Sequence, residues 1–198
     1  MTRLTRAQSQ ARTRTLIVEA ATRLFLRDGF GVTSLEQIGE EAGFTRGAVY
    51  SNFPSKTAVG IAVIDELYER EARRLEAALS ATDDFDGWFD ALSAWAEATI
   101  GDPQWTRLEI EVAAFSAHDG AYRTATAARY ARMRERWTAV FTSRFGDTLP
   151  VDAETLSGIV LALGLGTGAQ RAADPDLPGS SWVELLRTLV GSATSGVA

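Results

Sequence analysis

The chain of 198 residues contains no cysteine. A disulfide framework and thiol chemistry are therefore excluded. Its one histidine, His118, sits in a His118-Asp119-Gly120 turn. Metal centres need clustered histidine, cysteine or carboxylate ligands. No such cluster stands out in the sequence, so no metal and no cofactor are expected, and an enzyme is not. No apolar run approaches the length of a membrane span. The basic N-terminus is not followed by an apolar signal core, which leaves a soluble cytoplasmic protein as the expectation. Alternating strand patterns are missing as well, so the class is all-α.

Net charge is −6, which argues against a nucleic-acid partner until its distribution is considered. Residues 1–56 carry Arg3, Arg6, Arg12, Arg14, Arg23, Arg27, Arg46 and Lys56 against Glu19, Asp28, Glu36, Glu40 and Glu41. Eight basic against five acidic side chains leave +3 there, and the remainder holds −9. A basic front on an acidic body is an asymmetry that nucleic-acid binders show. The only lysine, Lys56, and the only asparagine, Asn52, both fall in this front.

The chain is organised around Thr33 to Lys56. Thr33 followed by Glu36 has the spacing of a capping box. Leu35, Ile38 and Ala42 share one helical face. Gly43 follows Ala42, where a left-handed residue stops a helix without a Cβ clash. Thr45 can cap the next helix, Val49 and Phe53 form its apolar stripe, Pro54 ends it, and Ser55 caps a third. Gly39 stands where a crossing helix must come close, and Val49 fills the angle between the two helices. This spacing predicts a helix-turn-helix whose second helix enters a DNA major groove. An αα-corner that never meets DNA has a similar outline.

Helical periodicity extends on both sides. Residues 1–11 read as a flexible basic arm, and Arg12 to Arg27 as the first helix. Ser55 to about Ser80 is one long connecting helix with a mixed charged face. Beyond Ala81-Thr82-Asp83-Asp84, helices are expected at Phe85 to Ile100, Gln104 to Ala117, Ala121 to Phe145, Asp152 to Ala173, and from Ser181 onward. The domains are then an arm (1–11), a helix-turn-helix domain (12–56), a connecting helix (57–80) and a C-terminal body (81–198). Gly164-Leu165-Gly166-Thr167-Gly168 imitates a phosphate-binding loop. That loop needs a strand before it, whereas the flanks here read as one helix, so the glycines mark a packing seam.

All five tryptophans lie beyond residue 84. Aromatics with scattered polar groups either line a ligand cavity or form ordinary core. Trp95, Trp105, Leu108, Val112, Phe115, Tyr130, Met133 and Trp137 are the candidate pocket, with Glu111 and Arg134 as its polar anchors. Gly158, Ala162, Leu165 and Ala169, with Leu185, Leu186, Leu189 and Val190, form two apolar surfaces, either intrachain core or a dimer interface. A helix-turn-helix protein reading a two-fold operator needs two heads, which favours the homodimer.

Gly43-Phe44-Thr45-Arg46-Gly47-Ala48-Val49-Tyr50-Ser51-Asn52-Phe53-Pro54-Ser55-Lys56 resembles the segment that closes the DNA-binding domain in the TetR family of bacterial transcriptional regulators. The resemblance runs from about Arg14 to about Leu67. It implies a three-helix DNA-binding domain, a helical effector-binding body and a four-helix dimer interface built from the last two helices of each subunit. It also implies phosphate contacts from Tyr50 and Lys56, base readout at Arg46 and Gly47, and a small-molecule effector. Gly39 replaces a usual alanine. Glu36 lies where many relatives have a basic or neutral residue; it either caps its helix or accepts from a cytosine amino group.

On the residues themselves, an arginine such as Arg46 can fork onto guanine. Ala48 can touch a thymine methyl, and Ser34, Thr45 and Ser55 suit phosphates. Ser51 and Asn52 can contact bases or backbone. The expectation is a homodimeric repressor of a palindromic operator in double-stranded DNA, released by a small molecule. The competing class is a helical binding or scaffold protein without DNA.

Overall fold

A computed structural model describes residues 5–195, without the side chains of residues 147 and 193–195. The described residues contain nine α-helices and no strand, so the all-α expectation is borne out. In chain order the helices are α1 (Arg6–Asp28), α2 (Leu35–Ala42), α3 (Arg46–Asn52), α4 (Lys56–Ser80) and α5 (Phe85–Thr99). They continue with α6 (Pro103–Phe115), α7 (Gly120–Phe145), α8 (Ala153–Arg171) and α9 (Ser181–Ser195). A short 3-10 turn, Gly146–Thr148, follows α7. None of the helices is long and apolar enough to cross a membrane.

The predicted arm is the main local correction. Residues 1–4 lie outside the described residues, but helix is already present from Arg6. Thr5 and Gln8 form a reciprocal capping box, in which each side chain accepts the other's backbone N–H. That cap supplies a helix start where apolar periodicity has not yet begun.

The chain separates into two compact units. The first holds the described residues up to Tyr68 together with Arg107–Arg123; the second holds Glu69–Thr106 and the residues from Thr124 onward. Residues 107–123 were expected in the C-terminal body, so the boundary differs from the predicted one. In the first unit, Ile17, Ala20, Ala21 and Phe25 of α1 are fully buried with Ile38, Val49, Val59 and Val63. Phe30 packs against Phe25 at 5.1 Å between ring centroids. The C-terminal part of α6 belongs here because it completes the end of α1. Arg107 Nη2 donates to the Leu26 carbonyl at 2.8 Å, one of the carbonyls left without a helical partner.

The second unit has its own core. Trp88, Phe89, Leu92, Phe141, Leu156, Val160, Trp182, Leu186 and Val190 cluster in it. Gly164-Leu165-Gly166-Thr167-Gly168 is helical, within α8. A Cβ on Gly164 would meet Ile100 at 3.6 Å, and one on Gly168 would meet Gly101 N at 3.6 Å. The seam expected at these glycines therefore receives the C-terminal end of α5 within the same chain.

Candidate nucleic-acid interface

The helix-turn-helix is assembled from short-range chemistry. Ser34, not Thr33, caps α2: Ser34 Oγ accepts the Gln37 N–H at 3.1 Å, and Gln37 Oε1 accepts the Ser34 N–H at 2.7 Å. Both Thr33…Glu36 and Ser34…Gln37 have the capping-box spacing, one residue apart. Thr33 is taken instead by the tertiary structure, where its buried hydroxyl donates to the Gly29 carbonyl at 2.8 Å. Glu36 is thereby released from the capping role expected of it.

Gly43 turns the chain with φ +74°, in the left-handed region, which side chains with a Cβ rarely enter. Val49 is completely buried. A Cβ on Gly39 would lie 3.0 Å from the Phe44 carbonyl oxygen and 3.2 Å from Val49 Cγ2, so the close approach of α2 to the turn and α3 is real. α1 holds the far end of α3. Arg14 Nη1 donates to the Asn52 carbonyl at 3.0 Å, and its guanidinium lies 4.0 Å from the centre of the Phe53 ring. This role for Arg14 has no signal in sequence beyond a basic residue on α1.

Thr45, Arg46, Gly47, Tyr50 and Ser51 are exposed, while Ala48 and Asn52 are half-buried. Asn52 Nδ2 and Ser51 Oγ both donate to the Ala48 carbonyl, at 2.8 and 2.9 Å. Arg46 forms an ion pair with Glu36 across the turn. Its guanidinium lies 5.3 Å from the centre of the Tyr50 ring, and its Nη2 donates to the Tyr50 hydroxyl at 3.4 Å. The Thr45 and Ser55 hydroxyls accept the N–H groups of Ala48 and Ala58 at 3.3 and 3.1 Å. With Ser34, each retains its own hydroxyl proton to donate.

Lys56 departs from the role implied for it. Its ammonium turns inward, donating to the Gly31 carbonyl at 3.0 Å and lying 4.7 Å from the centre of the Phe30 ring. Loss of water lowers its pKa below the ordinary lysine value, and the nearby Glu111 charge opposes that shift. Glu111 is itself committed within the first unit. Its Oε2 accepts the Gly31 N–H at 2.9 Å, so the carboxylate satisfies a loop amide.

Other pocket candidates are also placed in the first unit. Leu108 and Val112 are fully buried there, and Phe115 packs edge-on against Phe30 at 5.5 Å while remaining 66 % exposed. Trp95, Trp105, Tyr130, Met133, Arg134 and Trp137 fall in the second unit. Trp137 stacks on Phe141 at 5.2 Å as core. Arg134 is exposed, on an open groove shared with Thr138, Thr142 and Glu154. The Trp95 indole N–H is buried without a hydrogen-bond acceptor.

The dimer candidates divide as well. Leu186 and Val190 are core. Leu185 and Leu189 are 55 % and 46 % exposed, and Ile159, absent from the expected set, is 46 % exposed. Ala162 and Ala169 are exposed, Gly158 and Leu165 half-buried.

Comparison with known proteins places this geometry. Residues 17–63 match the model of the bacterial regulatory proteins of the tetR family. Over 69 residues the chain is 44 % identical to the HTH-type transcriptional regulator TtgR of Pseudomonas putida, covering 35 % of this chain and 32 % of that protein. The match thus spans about a third of that relative's length. The fold extends further. A putative transcriptional regulator from Rhodococcus sp. RHA1 superposes with a TM-score of 0.70 over 93 % of this chain and 94 % of that one, at 19 % identity. NalD, the secondary repressor of the MexAB-OprM multidrug efflux pump in Pseudomonas aeruginosa, superposes with a TM-score of 0.57 over 93 % and 96 %, at 23 % identity. The relatives' names are those of transcriptional regulators, not of enzymes. The helix-turn-helix thus lies inside the segment that matches the tetR family of bacterial regulatory proteins, and the fold is shared along nearly the whole length with these solved structures.

Proposed function

We propose that the protein is a homodimeric repressor that binds a palindromic operator and is released by a small molecule, acting in the cytoplasm. The observation that carries this reading is the exposed row Thr45, Arg46, Gly47, Tyr50 and Ser51 on α3. This row is held against α2 by buried Val49 and against α1 by Arg14. A short helix so braced can enter a major groove, with Arg46 at base edges. Tyr50 and the hydroxyls of Ser34, Thr45 and Ser55 serve the phosphates. Lys56 contributes by fixing the connection before α2 through Gly31.

The exposed Ile159, Leu185 and Leu189, with Ala162 and Ala169, supply the apolar surface for a second subunit. Two heads then read two half-sites. For the effector, the second unit offers Trp95, whose buried N–H lacks an acceptor, as a donor to a ligand oxygen or nitrogen. α4 contains residues of both units. An effector that binds better to the form unable to hold DNA shifts the population through that continuous helix. Repression is supported by the name of NalD, a structural neighbour.

Selection from a random duplex library at moderate salt tests the reading. Enrichment of an inverted repeat is the expected result. A folded dimer that enriches nothing, also after denaturation and refolding to remove bound ligand, refutes it and leaves the scaffold alternative.

A further inference from the structure

Glu36 has no part in capping α2, and its carboxylate is spent on Arg46 instead. The same guanidinium faces Tyr50 from the next turn of α3, through both the hydroxyl and the ring. One exposed arginine is thus held by a carboxylate from a different helix and by an aromatic on its own. A single surface ion pair in water holds a side chain weakly. The second partner, and the exclusion of water when DNA covers the pair, strengthen the hold.

We propose that Glu36 is a specificity-determining positioning residue: it pins the Arg46 fork so that it reads a base edge instead of a phosphate. The inference rests on the DNA-binding reading above. An unpinned arginine on α3 has the length to reach phosphate oxygens, which carry no sequence information. A pinned guanidinium presents its remaining donors in one plane, suited to the paired acceptors of guanine in the major groove. Glu36 acts a second way. Its negative charge beside the groove opposes binding to any phosphate backbone, and the Arg46 pair offsets that charge only while Arg46 keeps its position. Both effects widen the gap between the operator and other DNA.

The test uses the full-length protein and the library selection, applied to the wild type, Glu36→Gln, Arg46→Ala and the double variant. Affinities for the enriched duplex, its single-base variants and an unrelated duplex are measured at one fixed salt concentration. Expected for Glu36→Gln is a loss of preference of about fivefold or more at one guanine-bearing position, the lower range of one good arginine–guanine contact. Affinity for unrelated DNA should be unchanged or higher. In the Arg46→Ala background the same substitution should leave base preference unchanged. A preference loss that persists without Arg46 means Glu36 touches a base itself and overturns the proposal. Equal weakening on all duplexes with a lowered melting temperature assigns Glu36 to stability and also overturns it. A wild type that enriches no sequence defeats the DNA-binding reading instead, and this proposal falls with it.

Discussion

Gly60 gives a prediction whose sign depends on two opposed magnitudes. It lies inside α4, where alanine is favoured over glycine by about 1 kcal/mol. A Cβ at this position would sit 2.9 Å from Phe30 Cε2 and 3.1 Å from Val112 Cγ2. To reach an ordinary 3.4 Å contact, Phe30 must retreat by about 0.5 Å. Its room to move is small. The ring is 2 % exposed and Val112 is fully buried. Phe25 and Phe115 stand 5.1 and 5.5 Å from the Phe30 ring centre, and the Lys56 ammonium lies 4.7 Å from it. Overpacking of this kind costs about 1–3 kcal/mol, which exceeds the propensity gain. Gly60→Ala is therefore expected to destabilise the protein by about 1 kcal/mol, lowering the melting temperature by about 2–4 °C for a chain of this size. Thermal unfolding followed by circular dichroism at fixed protein concentration measures it. Gly166→Ala is the control: it is also helical, but its Cβ meets nothing within 4 Å, so it should stabilise by up to about 1 kcal/mol. If Gly60→Ala raises the melting temperature as Gly166→Ala does, the crowding argument is wrong.

Three further outcomes follow from the same contacts. Ser34→Ala removes the side-chain acceptor at the start of α2 and should cost about 1 kcal/mol in thermal unfolding. If the proposed dimer forms through this face, Leu185→Glu should give a monomer in sedimentation velocity with helicity intact. Leu186→Ala instead opens a core cavity and should cost about 2–5 kcal/mol; loss of folding in both variants would contradict the division of α9 into an exposed and a buried face. Lys56 is the only lysine, so its side-chain carbon signal is unambiguous in an NMR titration. Its folded pKa is expected below the ordinary lysine value, because lost hydration outweighs the opposing Glu111 charge. The unfolded chain then binds more protons between the two values, so this group's contribution to stability rises with pH through that window. An unshifted or raised value would mean the ammonium remains in water.

The helix-turn-helix was legible because its determinants are local. Gly43, Val49 and the alternation of apolar with polar positions act over a few residues, and a pattern at helical spacing carries them. The helical nature of Gly164–Gly168 was legible for the same reason, from its apolar flanks. Local rules alone could not choose between the two overlapping capping boxes, since Thr33 and Ser34 satisfy the same spacing. Thr33 was drawn away by the Gly29 carbonyl, a contact that exists only once the α1–α2 connection has closed.

What only the tertiary structure decided is which side chains were already spoken for. Lys56 and Glu111 look like free charges in the sequence, yet they accept or donate at opposite ends of Gly31. Leu185 and Leu186 are neighbours of one chemistry, and the packing of the second unit buries one and leaves the other in water. Composition and periodicity determined that this protein is helical and where its helix-turn-helix lies, because helix formation and turns depend on near neighbours. Partners distant in sequence, such as Glu111 for Gly31 or Glu36 for Arg46, emerge only when folding brings them within hydrogen-bond reach, because such contacts fall off within a few ångströms and leave no periodic trace in the chain.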